Sequence, residues 1–150
     1  MSTGAPAARA WIDGASRGNP GAAGFGVLIE TGSGSEEVLG YLGSTTNNIA
    51  EYAGLLAALH WALRSRPDHL LVHSDSELLV KQIRGQYRVK APHLIPLFTE
   101  AKKLIRQLPK VELRHVPRGQ NSAADGLANR AVDQKAPLPE WLKLPLPAAR

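Results

Sequence analysis

Asn48-Ile49-Ala50-Glu51-Tyr52-Ala53-Gly54-Leu55-Leu56-Ala57-Ala58-Leu59-His60-Trp61-Ala62-Leu63-Arg64, followed after Pro67 by Leu70-Leu71-Val72, is the stretch on which the fold class turns. Ile49, Ala53, Leu56, Leu59, His60 and Leu63 recur at three- and four-residue spacing, which places one apolar stripe on a helix from about Asn48 to Arg64. Pro67 ends it. Leu70-Leu71-Val72 is short and continuously apolar, the pattern of a strand buried on both faces in a parallel sheet. A helix feeding such a strand implies helices packed on a sheet, an α/β arrangement.

The residues on either side extend this reading. Ahead lie three β-rich runs, Arg9–Ile12, Gly24–Ile29 and Glu37–Gly43. The first breaks at Asp13-Gly14 into a loop holding Gly18, Asn19, Pro20 and Gly21; Gly32-Ser33-Gly34-Ser35 separates the other two. They read as an antiparallel meander. Behind lie a helix from Ser76 to Arg84, a loop from Gly85 to Pro92, and a helix with Leu94, Leu97, Phe98, Ala101, Leu104, Ile105 and Leu108 on one face. A strand at Val111–His115 and a last helix marked by Ala124, Leu127, Ala128 and Ala131 complete the order β-β-β-α-β-α-α-β-α. The expected architecture is a five-stranded mixed sheet, its first three strands antiparallel, with helices on both faces. One domain over residues 9–136 accounts for the 150-residue length, with residues 1–8 as a flexible N-terminus. The Pro-rich C-terminal tail, 137–150, has four prolines in eleven positions and reads as extended or poorly ordered.

With no cysteine, the chain has no disulfide, zinc–thiolate site, iron–sulfur cluster or cysteine nucleophile, so any metal sits on oxygen or imidazole. No apolar run approaches the roughly 18 residues of a membrane span, and Met1–Ala8 lacks the hydrophobic stretch of a secretory signal, which reads as cytoplasmic. The net charge of +5 is unevenly spread: residues 81–118 hold ten basic and two acidic residues, residues 1–80 four basic and eight acidic. A basic segment beside an acidic one suits phosphates on one surface and divalent cations on another.

Four of the acidic residues sit at the ends of elements: Asp13 after the first strand, Glu51 in the first turn of the first long helix, Asp75 after the fourth strand, Asp125 at the start of the last helix. Each has a local explanation. Asp13-Gly14 is a common turn pair, Asn48-x-x-Glu51 and Ser122-x-x-Asp125 have capping-box spacing, and Asp75 can cap its helix. Their joint placement points elsewhere, because ligands of such sheets gather beyond the strand ends where the strand order reverses. Four carboxylates there would repel unless cations neutralised them, and Mg²⁺, a hard ion that keeps reactive waters, suits an all-oxygen set. Two such ions about 3.5–4 Å apart can activate water and stabilise a leaving oxygen at a phosphodiester.

Four segments carry a resemblance: Trp11-Ile12-Asp13-Gly14-Ala15-Ser16-Arg17-Gly18-Asn19-Pro20-Gly21, Thr45-Thr46-Asn47-Asn48-Ile49-Ala50-Glu51, His73-Ser74-Asp75-Ser76, and His115 through Asp125. Together they resemble type 1 ribonuclease H, in order, over residues 9–133. The resemblance implies the ribonuclease H-like fold and hydrolysis of the RNA strand of RNA–DNA hybrids to 3′-hydroxyl and 5′-phosphate ends. It makes Asp13, Glu51, Asp75 and Asp125 the metal-binding catalytic set, with Mg²⁺ as cofactor, two ions per site, and Mn²⁺ as a substitute. It further implies that His115 is a mobile histidine moving protons or helping product leave, that Asn19, Asn47 and Asn48 read the minor groove, and that Thr46 grips a DNA-strand phosphate. An amide suits that groove because it answers both the donor and the acceptor of a 2′-hydroxyl.

The chain departs from the best-known bacterial enzymes in lacking their basic protrusion: Gly85-Gln86-Tyr87-Arg88-Val89-Lys90 runs directly to the next helix, similar to the protrusion-less bacterial and archaeal branch. Lys81, Arg84, Tyr87, Arg88 and Lys90 then become the candidate substrate contacts. Lys102, Lys103 and Arg106 read first as a solvated helix face. No obligate protein partner is evident, and a monomer is expected. Two alternatives remain at this stage: a catalytically inert hybrid-binding module, which would have lost a metal ligand, and a related nuclease of the same fold acting on other duplexes.

Overall fold

A computed structural model describes residues 7–146. The strands are β1 (Ala8–Ser16), β2 (Gly21–Thr31), β3 (Gly34–Thr45), β4 (Leu70–Ser74) and β5 (Val111–His115). The helices are α1 (Asn47–Ser65), α2 (Glu77–Ile83), α3 (Ile95–Arg106) and α4 (Ser122–Gln134), with a 3₁₀ turn at Arg118–Gln120. The expected order and mixed sheet are present: the strands lie β3-β2-β1-β4-β5, antiparallel from β1 to β3 and parallel from β1 through β4 to β5.

Glycines decide how closely the helices approach. A Cβ on Gly14 would lie 2.4 Å from the backbone of Ala50 and Glu51, and one on Gly54 would lie 3.5 Å from Ile12 Cβ, so α1 sits directly on this face of β1. A Cβ on Gly26 would lie 2.5 Å from Ala128 N, so α4 sits equally close on the other face. Gly26 pairs with Asp13 across the β1–β2 ladder, and cross-strand partners share a face, so Asp13 points to the α4 side. Helix α3 packs against α1 from outside, burying Leu97, Ala101 and Leu104.

Helix α1 differs from the single stripe read in the sequence. Ile49 through Leu59 are all buried, because the sheet covers one side of the helix and α3 the other. Strand β4 is buried at every position, as its apolar run implies.

Three local expectations are corrected. β1 does not turn at Asp13-Gly14 but continues to Ser16 in register with Ala23; the small residues of β2 let the ladder run on beneath α4. The cap of α1 is Thr46, whose Oγ1 accepts from Ile49 N–H at 3.2 Å, so Asn48 and Glu51 form no capping box; α2 is capped by Ser76 rather than Asp75. Helix α4 follows Asn121 with no side-chain cap, so Ser122 and Asp125 form no box either.

The termini also differ from expectation. Ala8 is buried within β1, whereas residues 1–6 of the expected flexible N-terminus lie outside the described residues. Among the described residues beyond Ala136 there is no helix or strand, yet this segment is not loose: Leu142 is buried in the core, Trp141, Leu144 and Leu146 pack against it, and Arg64 lies 5.0 Å above the Trp141 ring. Apolar side chains, not backbone ladders, hold it. Residues 147–150 of the tail are outside the described range.

Candidate active site

The parallel pairing of β1 with β4 ends at Ile12 and Ser74, and the next residue of each strand is Asp13 and Asp75. This is the switch point of the sheet, since β1 pairs with the meander on one side and with the crossover strand on the other. Helix α1 brings Glu51 over Gly14 from one face, and α4 brings Asp125 down over Gly26 from the other. Carboxylate oxygens of Asp13, Glu51 and Asp75 lie within 4.8 Å of one another. Asp125 stands outside that group of three but lines the same cavity of about 530 Å³.

Asp13 and Glu51 are 5% and 6% exposed. Burial pushes the Asp13 carboxyl up to about 8, helped by the charge of Asp75 and by Asp125, while the Gly14 N–H pulls the other way. Burial likewise pushes Glu51 up to about 9, with Asp13 and Asp75 adding to it. Glu51 Oε2 is buried without any hydrogen-bond partner. An all-oxygen cluster with mutual repulsion and an orphaned carboxylate oxygen fits a divalent cation, which would supply the missing positive charge.

The remaining sequence candidates are placed less uniformly. Asn47 lines the cavity, and its backbone N–H donates to Asn19 Oδ1 at 3.1 Å, so the two are neighbours. Asn48 is exposed at the start of α1, and the Thr46 hydroxyl is occupied as its cap. His115 is exposed at the end of β5, opposite Ser74, and does not line the cavity. Lys81 Nζ lies 5.0 Å over the Tyr87 ring and 3.7 Å from Glu77. Arg88 and Lys90 are exposed, whereas the Arg84 guanidinium donates to Leu113 O at 2.6 Å and is committed to β5.

Four residues that sequence reasoning left without a role complete the surroundings. Arg17, Arg118 and Asn129 line the cavity. Asn121, 1% exposed, donates from Nδ2 to Ile12 O at 2.9 Å and to Asp75 Oδ2 at 3.3 Å, tying the end of β1 to the third carboxylate. Its position just before an apolar-periodic helix marks it only as a possible cap; the long-range partners leave no trace in spacing.

This strand order, with an oxygen cluster at its switch point, defines a ribonuclease H-like domain. The reverse transcriptase-like family matches residues 12–131. Ribonuclease H of Janthinobacterium sp. is 35% identical over 140 residues, covering 84% of this chain and 96% of that protein. Bifunctional protein Rv2228c of Mycobacterium tuberculosis is 42% identical over 127 residues, 83% of this chain but 35% of that protein, so the chain spans about a third of the length of the first curated relatives it matches. Among solved structures, RNase H1 from the archaeon Halobacterium salinarum aligns with a TM-score of 0.81 at 38% identity, covering 85% of this chain and 98% of that one. LC11-RNase H1, solved in complex with an RNA/DNA hybrid, aligns with a TM-score of 0.78 at 38% identity over 85% of this chain and 97% of that one. The chain belongs to the ribonuclease H family. No described helix is long and apolar enough to cross a membrane.

Proposed function

We propose that the protein is an endonuclease that hydrolyses the RNA strand of an RNA–DNA hybrid, with Asp13, Glu51, Asp75 and Asp125 holding two divalent cations, Mg²⁺ with Mn²⁺ as a substitute. The observation that carries this reading is the carboxylate group itself: three acids from three elements within 4.8 Å, one with a buried oxygen lacking any partner. The bound cations would activate water and offset charge on the phosphate. A water oxygen bonds to phosphorus as the P–O3′ bond breaks, the 5′-phosphate stays on the downstream fragment, and the 3′ oxygen takes up a proton.

This chain's residues divide the remaining work. Asn47 lines the cavity, Asn19 accepts from its backbone N–H and Asn48 follows it in the chain, so amides near the cavity can exchange hydrogen bonds with a 2′-hydroxyl. Arg88 and Lys90 offer phosphate contacts on the exposed loop after α2. His115, one strand end away, is suited to carrying a proton from the departing product.

The test is a panel of RNA–DNA hybrid, double-stranded RNA and double-stranded DNA, each with Mg²⁺ and with Mn²⁺. Cleavage of the RNA strand of the hybrid, lost in Asp75→Asn with the unfolding midpoint kept, is the expected result. Binding without cleavage at any cation concentration, or full activity in Asp75→Asn, refutes the assignment.

A further inference from the structure

Asp125 stands apart from the other three carboxylates. It is half-buried, sits on the first turn of α4, and lies outside the 4.8 Å group formed by the other three. What holds it comes from the loop between β1 and β2. Arg17 Nη2 lies 2.9 Å from Asp133 Oδ1 and 3.1 Å from Asn129 Oδ1. A guanidinium only donates, so the atom of Asn129 turned toward it is the oxygen, and the amide nitrogen points the other way. Asn129 Nδ2 accordingly donates to Asp125 O at 3.0 Å and to Asp125 Oδ1 at 3.3 Å. Asp125, Asn129 and Asp133 are spaced four residues apart on one face of α4, so the helix aligns all three beneath Arg17.

We propose that Arg17 and Asn129 are positioning residues that hold the Asp125 carboxylate ready for a divalent cation, Arg17 acting only through Asn129. The inference deepens the function proposed above and rests on its assignment of Asp125 as a cation ligand. The arrangement is chemically economical: Asn129 occupies Oδ1 with a neutral donor and leaves Oδ2 available, whereas an arginine placed directly on Asp125 would fill both oxygens and repel the cation. Asp133 pairs with the Arg17 charge, so the guanidinium orients the amide without acting as a competing cation. Groups that orient a metal ligand in this manner typically change metal affinity or activity by about 10–100-fold when removed.

The experiment compares wild type with Arg17→Ala, Asn129→Ala, the double variant and Arg17→Lys. Mn²⁺ binding is titrated by calorimetry without substrate, hybrid cleavage is followed at low and high Mn²⁺, and unfolding midpoints are recorded. Asn129→Ala and Arg17→Ala are each expected to weaken Mn²⁺ binding and lower kcat at low Mn²⁺ by about tenfold, with KM changed less than about twofold and kcat recovering at high Mn²⁺. The double variant should lose no more than Asn129→Ala alone, since the two act in series. Arg17→Lys, which keeps a charged donor beside Asp133 and Asn129, should restore most of the binding and covers the case in which Arg17→Ala folds poorly. Unchanged Mn²⁺ affinity in Asn129→Ala overturns the proposal, as do losses that multiply in the double variant. A raised KM with unaltered Mn²⁺ affinity in Arg17→Ala also overturns it, making Arg17 a direct phosphate contact. A wild type that binds Mn²⁺ but cuts no hybrid refutes the proposed reaction, and the titrations then decide the positioning role alone.

Discussion

Replacing Gly26 with alanine probes how α4 is held over Asp13. The new Cβ would lie 2.5 Å from Ala128 N and from Leu127 Cβ, and 2.6 Å from Ala124 O. Two of these are backbone atoms of α4, which no rotamer change can move aside, so the helix must lift. Reaching ordinary contact at 3.4 Å takes a shift of about 0.9 Å, and Asp125 shifts with its helix. Overpacking of this kind costs about 1–3 kcal/mol, against about 0.5–1 kcal/mol gained by removing a glycine from a strand. The net loss of up to about 2.5 kcal/mol lowers Tm by up to about 10 °C in a domain of this size. Activity should suffer more, because a displacement of about 1 Å at a reacting centre can cost on the order of 100-fold. Gly126→Ala supplies the contrast: this glycine is exposed in α4 with nothing within 4 Å of its Cβ position, so the substitution should stabilise by about 1 kcal/mol. Circular dichroism melts and single-turnover cleavage of a hybrid read both variants. Wild-type Tm and wild-type rate in Gly26→Ala would refute the claim that close approach of α4 builds the site.

Three further outcomes follow from the same geometry. Asp13 and Glu51 keep protons in the metal-free folded chain that the unfolded chain releases near pH 4, so their contribution is complete at acid pH and is lost as pH rises toward about 8 and 9. Unfolding in a chelator should show stability falling by up to about 1.4 kcal/mol per pH unit for each proton, and Asp13→Asn should flatten the slope; a rise with pH over this window counts against it. Asn121→Ala strands the Ile12 carbonyl and removes a donor from Asp75, which should cost about 1–3 kcal/mol in denaturant unfolding; an unchanged midpoint denies the tie. Arg88→Ala with Lys90→Ala should raise KM and reduce the salt slope by about 0.7–0.9 per lost phosphate contact while sparing kcat, whereas Arg84→Ala should lower stability through Leu113; an unaltered KM in the first pair assigns that charge to solubility.

The helix–strand pair from Ile49 to Val72 was legible because periodicity and run length report burial directly, and β4 is indeed buried throughout. The carboxylates were legible as a group because Asp13 and Asp75 follow directly on the last paired residues of β1 and β4, and Glu51 and Asp125 lie near the starts of helices. Their local bonds were not. Spacing alone cannot tell which of several side chains caps a helix, and Thr46 takes that place by accepting from Ile49 N–H, so α1 begins two residues before the start that the Asn48–Glu51 spacing implies. Asp13-Gly14 reads as a turn pair, but Gly14 instead lets α1 close on β1, and Gly26 across the ladder admits α4 on the other face. The link from Arg17 to Asn129 joins residues 112 apart, beyond any local pattern. In the tail, proline content concealed the apolar side chains of Trp141 and Leu142 that anchor it.

The sheet has two outer strands, and on each an outward backbone group is bonded from outside the sheet. At β3, Tyr41 N–H donates to Ala136 O at 2.8 Å where the chain leaves α4 for its last segment. At β5, the Arg84 guanidinium donates to Leu113 O, and Lys110 pairs with Glu112 at the start of the strand. An unguarded edge is a template on which another chain can add a strand. Here each edge carries one such bond, to a single carbonyl of the chain leaving α4 on one side and from a single arginine on the other. The residue that sequence reasoning assigned to gripping nucleic acid thus occupies a backbone acceptor on the outer strand, where an added strand would otherwise pair.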